Sequence, residues 1–367
     1  MKKVFRDMKK TLLSSCAATL ALLAASCGGA GQRDGEGFPQ AELLAADSVA
    51  IAEVLQPQSF IVSGEHAVLF SPQTSKVLWR YRLPDWTLAD SSFVQGGGPD
   101  DFGAYVSFLK TNDPSRPVFW LNDVMRRRSI RFDQSGGNLV KTDAADYYIP
   151  GGAQSIVLGD TLLAYQWTRQ DALSSFRIAA LRDTLAVLDS VPGYSMTKMD
   201  IRQEGGKIQS ISVRSYNSVR TAVHGDRIVL WYPGTRNLQV YRVKENGSLE
   251  SLGEYGDAPL DAAAVNAYVA RAKEAGYSED DLTLLAADDS CLYFLEKTRG
   301  AEASSPSNGA PQVEQMDIKV YDWTMKPVKK YRLDHPSAQR VLPDIENGKV
   351  YAWDPRTDFE QVYVYTL

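Results

Sequence analysis

The stretch richest in residues able to do chemistry is QGGGPDDFGAYVSF, residues 95–108. Gly96, Gly97 and Gly98 permit close backbone approach and positive φ, Pro99 stiffens the turn, and Asp100 and Asp101 set two carboxylates at its tip. Such a loop suits a cation or a sugar hydroxyl; the plainer reading is a strained connection into a strand on which Phe102 and Tyr105 pack inward. Two adjacent carboxylates fall short of the alternating set that calcium requires, so no metal is expected. A second charged stretch, RRRSIRF at 126–132, places Arg126, Arg127 and Arg128 at a turn between two strands. It is a candidate site for phosphate, acidic polysaccharide or anionic headgroups, against the ordinary reading of a solvated turn.

The remaining catalytic vocabulary is sparse. There is no GxSxG, HExxH, Walker loop, GxGxxG or CxxC pair, and the histidines are His66, His224 and His335. His66 and His224 fall near corresponding turns, which suits a shared turn role better than ligation, and His335 before Pro336 reads as a loop residue. Trp86, Trp167 and Trp353 would stack sugars if exposed, but a tryptophan ending a strand more often belongs to a core. No catalytic residue and no cofactor is assigned.

The elements that position these residues announce themselves as repeats. GEHAVLF (64–70), GDTLLAY (159–165), GDRIVLW (225–231), DDSCLYF (288–294) and NGKVYAW (347–353) each join a polar turn to an apolar strand ending in an aromatic. RPVFWLND (116–123) is a degenerate sixth copy. After a further turn an alternating strand follows, as in KVLWRYRL, LQVYRV and QVYVYTL, and then a more polar one. The pattern predicts an all-β chain, a six-bladed β-propeller of four-stranded blades stacked radially to cover one another's faces. A hairpin within 196–217 is left over, either an insertion or part of a seventh blade.

The chain ends on QVYVYTL without an outer strand, and ELLAADSVAIAEV at 42–54 is available to complete that last blade and protect its edge. Residues 259–282 read as an inserted helix with Asp261 as N-cap, Val265, Tyr268, Val269 and Ala272 on one face, and Gly276 as a stop. Residues 299–315 have the composition of a disordered loop within one blade.

Composition agrees. The 367 residues are 44% hydrophobic with a net charge of -5, so there is no global basic field and nucleic acid is not an expected partner. Eighteen tyrosines and seven tryptophans suit half-buried pleated surfaces. The first 26 residues form a basic n-region and a short apolar run, an export signal rather than a membrane span. LLAASC ends at Cys27 and resembles the bacterial lipobox, in which the cysteine is diacylated and becomes the mature N-terminus; residues 27–37 then read as lipidated cysteine and flexible tether, and 38–367 as the propeller domain. Cys291, in the apolar phrase SCLYFL, is then the one thiol left and reads as buried and inert.

Together LLAASC, GGGPDDF and the six blade phrases resemble the TolB-like six-bladed propeller lipoproteins. Asp100 stands where that family's phrase usually has Gly, and Asp101 where it has Glu. The resemblance implies a lipid-anchored envelope protein at the outer membrane, on its periplasmic face or the cell surface. It implies a protein that binds or scaffolds a protein or glycan partner, and it supplies no catalytic residues; a monomer is expected. The alternative is a carbohydrate-active lyase or hydrolase using carboxylates and tyrosine in the central channel.

Overall fold

The computed structural model describes residues 35–145, 149, 154–169, 172–181, 185–256, 260–274, 282–299, 313–336, 338, 340–355 and 358–367. The chain divides into two units, residues 1–41 and 42–367. Of the first, 35–37 form a turn and 38–41 run without regular structure. The export signal, Cys27 and most of the proposed tether lie outside the described residues.

Residues 42–367 form six sheets. Blade 1 is Ser59–Ser63, His66–Phe70, Leu78–Arg82 and Thr87–Ser92. Blade 2 is Val106–Phe108, Val118–Asp123, Arg128–Asp133 and Val140–Ala145. Blade 3 begins with Ile156–Leu158, continues through Leu162–Trp167 and Leu173–Ala180, and ends in the long strands Ala186–Glu204 and Lys207–Tyr216. Blade 4 is Arg220–His224, Arg227–Tyr232, Asn237–Val243 and Leu249–Tyr255. Blade 5 is Leu282–Ala287, Cys291–Arg299, Val313–Asp322 and Pro327–Leu333. Blade 6 is Arg340–Asp344, Lys349–Asp354 and Asp358–Thr366.

The repeated phrases are the second strands. His66–Phe70, Arg227–Tyr232 and Lys349–Asp354 are buried at every position after the first. A strand covered on both faces by neighbouring blades must be apolar throughout, which is why these phrases read as continuous runs rather than alternations. The outer strands Thr87–Ser92 and Leu249–Tyr255 have no fully buried residue, hence their polarity.

Six apolar clusters fill the six gaps between successive blades. Phe70, Phe119 and Phe132 join blades 1 and 2; Trp120 and Tyr165 join 2 and 3; Phe176 and Tyr232 join 3 and 4. Trp231 and Phe294 join blades 4 and 5, Met316 and Tyr365 join 5 and 6, and Phe60, Trp86 and Trp353 join 6 back to 1. The ring is closed. Fully burying one such side chain contributes about 1.5–3 kcal/mol, so the core is distributed over interfaces rather than held in one centre.

Closure uses the N-terminal segment as expected, with one difference. Asp47–Ala50 supplies the outer strand of blade 6, antiparallel to the C-terminal strand from Asp47↔Val364 to Ala50↔Gln361. Glu42–Leu44 instead adds a fifth, parallel strand to blade 5, with Leu44 opposite Leu333 in the cluster between blades 5 and 6. The leftover hairpin is no seventh blade; it extends the outer edge of blade 3.

The helix spans Ala262–Glu274 and buries Val265, Tyr268, Val269 and Ala272. Asp261 caps it, its Oδ1 accepting the Ala264 N–H at 2.8 Å. It packs over the Pro233–Thr235 turn of blade 4, where the Tyr268 ring lies so close to Gly234 that a Cβ there would fall 2.6 Å from ring Cε1. Gly276 lies outside the described residues, as does most of the 299–315 loop, although Arg299↔Val313 pairing places that loop between two strands of blade 5.

Candidate functional site

The two stretches singled out separately in the sequence are one structural unit. Asp123 ends the second strand of blade 2 and is fully buried. Its Oδ2 accepts the Gly103 N–H at 3.0 Å and lies 3.7 Å from Arg128 Nη2 and 3.9 Å from Arg126 Nε. The carboxylate thereby orients both guanidinium groups toward the loop. Arg126 donates to the carbonyls of Gly98 (2.7 Å) and Gly96, and Arg128 to those of Pro99 and Asp101 (2.5 Å each). Arg128 also lies 5.8 Å from the centre of the Phe102 ring.

The loop is tightened from within by Asp101, whose Oδ2 accepts the Gly98 N–H at 2.5 Å. Gly96 and Gly98 are needed for space, since a Cβ on either would strike that carboxylate; Gly97 faces open space. None of the three adopts positive φ, which corrects the second of the roles expected of them. Asp100 is exposed and pairs with Lys141 at 3.1 Å. Phe102 is buried as expected, but Tyr105 is 63% exposed and does not pack inward. The arginine cluster is divided: Arg126 and Arg128 point their N–H groups at loop carbonyls, while Arg127 stands exposed at the turn with φ of 54°.

The second feature is the central channel, a cavity of about 830 Å³ lined by the innermost strands around the ring. Its two ends differ in charge. Lys110, Arg220, Lys297 and Arg340 line it near the N-terminal ends of these strands, and Asp288, Asp344 and Glu346 line it at the C-terminal ends with His224. Apolar walls such as Phe60, Phe108 and Leu284 separate them.

Lys110, in the two-residue strand Lys110–Thr111 that pairs in parallel with Ile156–Val157 at the inner edge of blade 3, reaches the start of blade 4. Its Nζ donates to the Thr221 carbonyl, to Thr221 Oγ1 at 3.3 Å and to Gln154 Oε1 at 3.4 Å. The residue as a whole borders the channel, yet protein surrounds the amine. That burial, with Arg220 adding repulsion, pushes its pKa down to about 7. At the opposite end, burial raises the Glu346 carboxyl, helped by Asp113 and Asp344 and opposed by His224. Asp344 is raised by burial as well, although Asn347 donates to both its oxygens at 3.0 and 3.1 Å. Tyr351, 3.5 Å from Asp344, is held far above the usual phenol range by burial and that carboxylate.

The other sequence candidates fall mainly into structural roles. His66 and His224 do flank corresponding turns, and His224 Nε2 meets Asp289 Oδ1 at 3.0 Å. His335 is a loop residue stacked on Tyr363. Trp86 and Trp353 are core, whereas Trp167 is half-buried under the Arg177 guanidinium, 4.0 Å away. Cys291 is half-buried rather than buried, and desolvation, then Asp288 and Asp322, push its thiol pKa up, which keeps it unreactive. Among the described residues no group of three or more His, Cys, Asp or Glu is placed to hold a metal ion, and no helix is long and apolar enough to cross a membrane.

Sequence reading missed Asp123, Lys110 and Glu346. Asp123 carried a weak mark, a carboxylate ending an otherwise apolar strand just before three arginines. The other two become notable only through partners in other blades.

No family model matches the chain, and no curated protein matches it. Among solved structures it is similar to the β-propeller domain of Cps50 (Swd1) from Myceliophteria thermophila, at 9% identity and a TM-score of 0.44 over 88% of this chain and 100% of that one. It is also similar to U3-55K, at 7% identity and 0.46 over 88% of this chain and 98% of that one. A chain of the mitotic checkpoint complex gives 8% identity and 0.40 over 89% of this chain and 87% of that one.

Proposed function

We propose that this is an envelope lipoprotein of the TolB-like kind, acylated at Cys27 and held at the outer membrane, whose propeller is a non-enzymatic binding or scaffold module for a protein or glycan. The observation that carries the binding reading is the braced loop. Two arginines hold four of its carbonyls while Gly97, Pro99 and Asp100 stay exposed. A surface loop ordered in advance loses little conformational entropy when a partner docks, which is how a recognition surface gains affinity. The anchor rests on LLAASC and the Gly-rich residues that follow Cys27.

The test is crosslinking in cells followed by affinity recovery of the tagged protein from solubilised envelopes. Recovery of one envelope component, lost when Gly97–Asp100 is replaced by an unrelated tetrapeptide, supports the module; unchanged recovery refutes the loop as its surface. Cys27→Ser tests the anchor separately, with release from the membrane fraction expected.

Catalysis in the channel is the second reading, favoured by the raised carboxyl of Glu346 beside Asp344. Turnover of an envelope glycan, abolished by Glu346→Gln with binding retained, would establish it in place of the scaffold role.

A further inference from the structure

The hairpin at the edge of blade 3 is paired from Met196↔Tyr216 to Glu204↔Lys207. It springs from the side of the ring that carries the turn between second and third strands, and every residue from Asp200 to Ser215 is exposed. Lys207–Tyr216 is the last strand of its sheet, with no neighbouring strand on its outer edge among the described residues.

Its two faces differ. Lys198↔Arg214, Asp200↔Ser212 and Arg202↔Ser210 occupy one, and Met199↔Val213 and Ile201↔Ile211 the other. A bulge between Arg202 and Gln203 shifts the register by one, so that Ile208 lies opposite Gln203 and joins the apolar face. Without it Ile208 would turn to the polar side. Ile201, Ile208, Ile211 and Val213 are 45%, 58%, 55% and 56% exposed, a set that an isolated two-stranded ribbon does not stabilise by itself. From Ile208 to Val213 the open edge carries no charge and no proline, the usual protections of a solvated edge.

We propose that this edge pairs with the same edge of a second copy of the chain, antiparallel about a two-fold axis through Ser212. The register follows from the side chains. Centring on Ser212 sets Ile211 opposite Val213 of the second copy, twice, and Arg214 opposite Ser210. The joined ribbons then present two rows of four apolar residues, each running Ile201, Ile211, Val213, Met199 across the four strands. Centring on Ile211 would set Arg214 against Ile208, and centring on Ser210 would set Val213 against Lys207. Apolar cross-strand pairs stabilise a ladder, whereas a charge opposite an apolar residue gains nothing. The two copies of Tyr216, where each ribbon leaves its blade, stand eight residues or about 27 Å apart along the strands. The two propellers therefore leave the joined ribbons at opposite ends.

Two-fold symmetry gives a direct test, because a single cysteine at position 212 faces its own copy. Directly opposed residues in an antiparallel pair have Cα atoms roughly 4.5–5.5 Å apart, inside the disulfide range. In the full chain carrying Cys291→Ser, Ser212→Cys is expected to give a disulfide dimer under mild oxidation. Cys291→Ser alone and Ser210→Cys, whose copies lie about 14 Å apart in this register, are expected to form no disulfide-linked dimer. A disulfide-linked dimer from Cys291→Ser alone would report an unacylated Cys27, a failure of the anchor and not of the edge. Sedimentation is expected to show dimer that Ile211→Lys weakens at least tenfold; position 211 is exposed, so folding is retained. No crosslink at 212, equal crosslinking at 210 and 212, or a monomer at all concentrations would overturn the proposal, including the case in which a lipid surface or a different protein covers this face.

Discussion

Replacing Lys110 by methionine keeps the length of the side chain and removes its charge. In the folded chain the amine has a pKa of about 7, against 10.5 for the free side chain. Between these values the unfolded chain binds the additional proton, so stability rises with pH across that window and the burial cost is greatest below pH 7. Linkage arithmetic on the two values gives a destabilisation of about 5 kcal/mol at pH 6 and about 2 kcal/mol at pH 9. Lys110→Met removes this cost and also the hydrogen bonds to Thr221 and Gln154, about 1 kcal/mol each and independent of pH. The difference between the two pH values is free of that offset. Urea unfolding of both proteins from pH 6 to 9 is expected to show the wild type gaining about 3 kcal/mol on the variant as pH rises. Parallel stability curves would refute the reasoning and show that the folded amine titrates as though solvated.

Arg128→Lys replaces a fork that reaches the Pro99 and Asp101 carbonyls with a single ammonium, and hydrogen exchange at Gly97–Phe102 is expected to accelerate at a global cost of about 1–2 kcal/mol. Unchanged exchange would show that the arginine does not brace the loop. Gly234→Ala drives a methyl into the Tyr268 ring and is expected to cost about 1–3 kcal/mol by thermal denaturation. The same substitution in a Tyr268→Ala background is expected to cost much less, and an equal cost in both would place the strain elsewhere.

The helix shows how far local pattern reaches. Asp261 as cap and Val265, Tyr268, Val269 and Ala272 as the buried face follow from the 3.6-residue period, and the structure places all five in those roles. Tyr105 shows a pattern misapplied: it stands three residues from Phe102, and a period of two sets them on opposite faces, so the burial of Phe102, Val106 and Phe108 leaves Tyr105 exposed. Gly96 and Gly98 had the right residue type for a different reason, space for the Asp101 carboxylate rather than positive φ.

Architecture was determined by the sequence alone because burial writes itself into consecutive residues. A strand covered on both faces is apolar throughout, an outer strand is polar, and the count of such phrases is the count of blades. The candidate site was decided by tertiary structure, because its contacts join residues far apart in the chain. Arg126 reaches loop carbonyls 28 and 30 positions away, and Lys110 meets Thr221 at a separation of 111. Such partners meet only once the ring has closed, and the low pKa of Lys110 exists only when the interior surrounds it. No periodicity in the sequence records either.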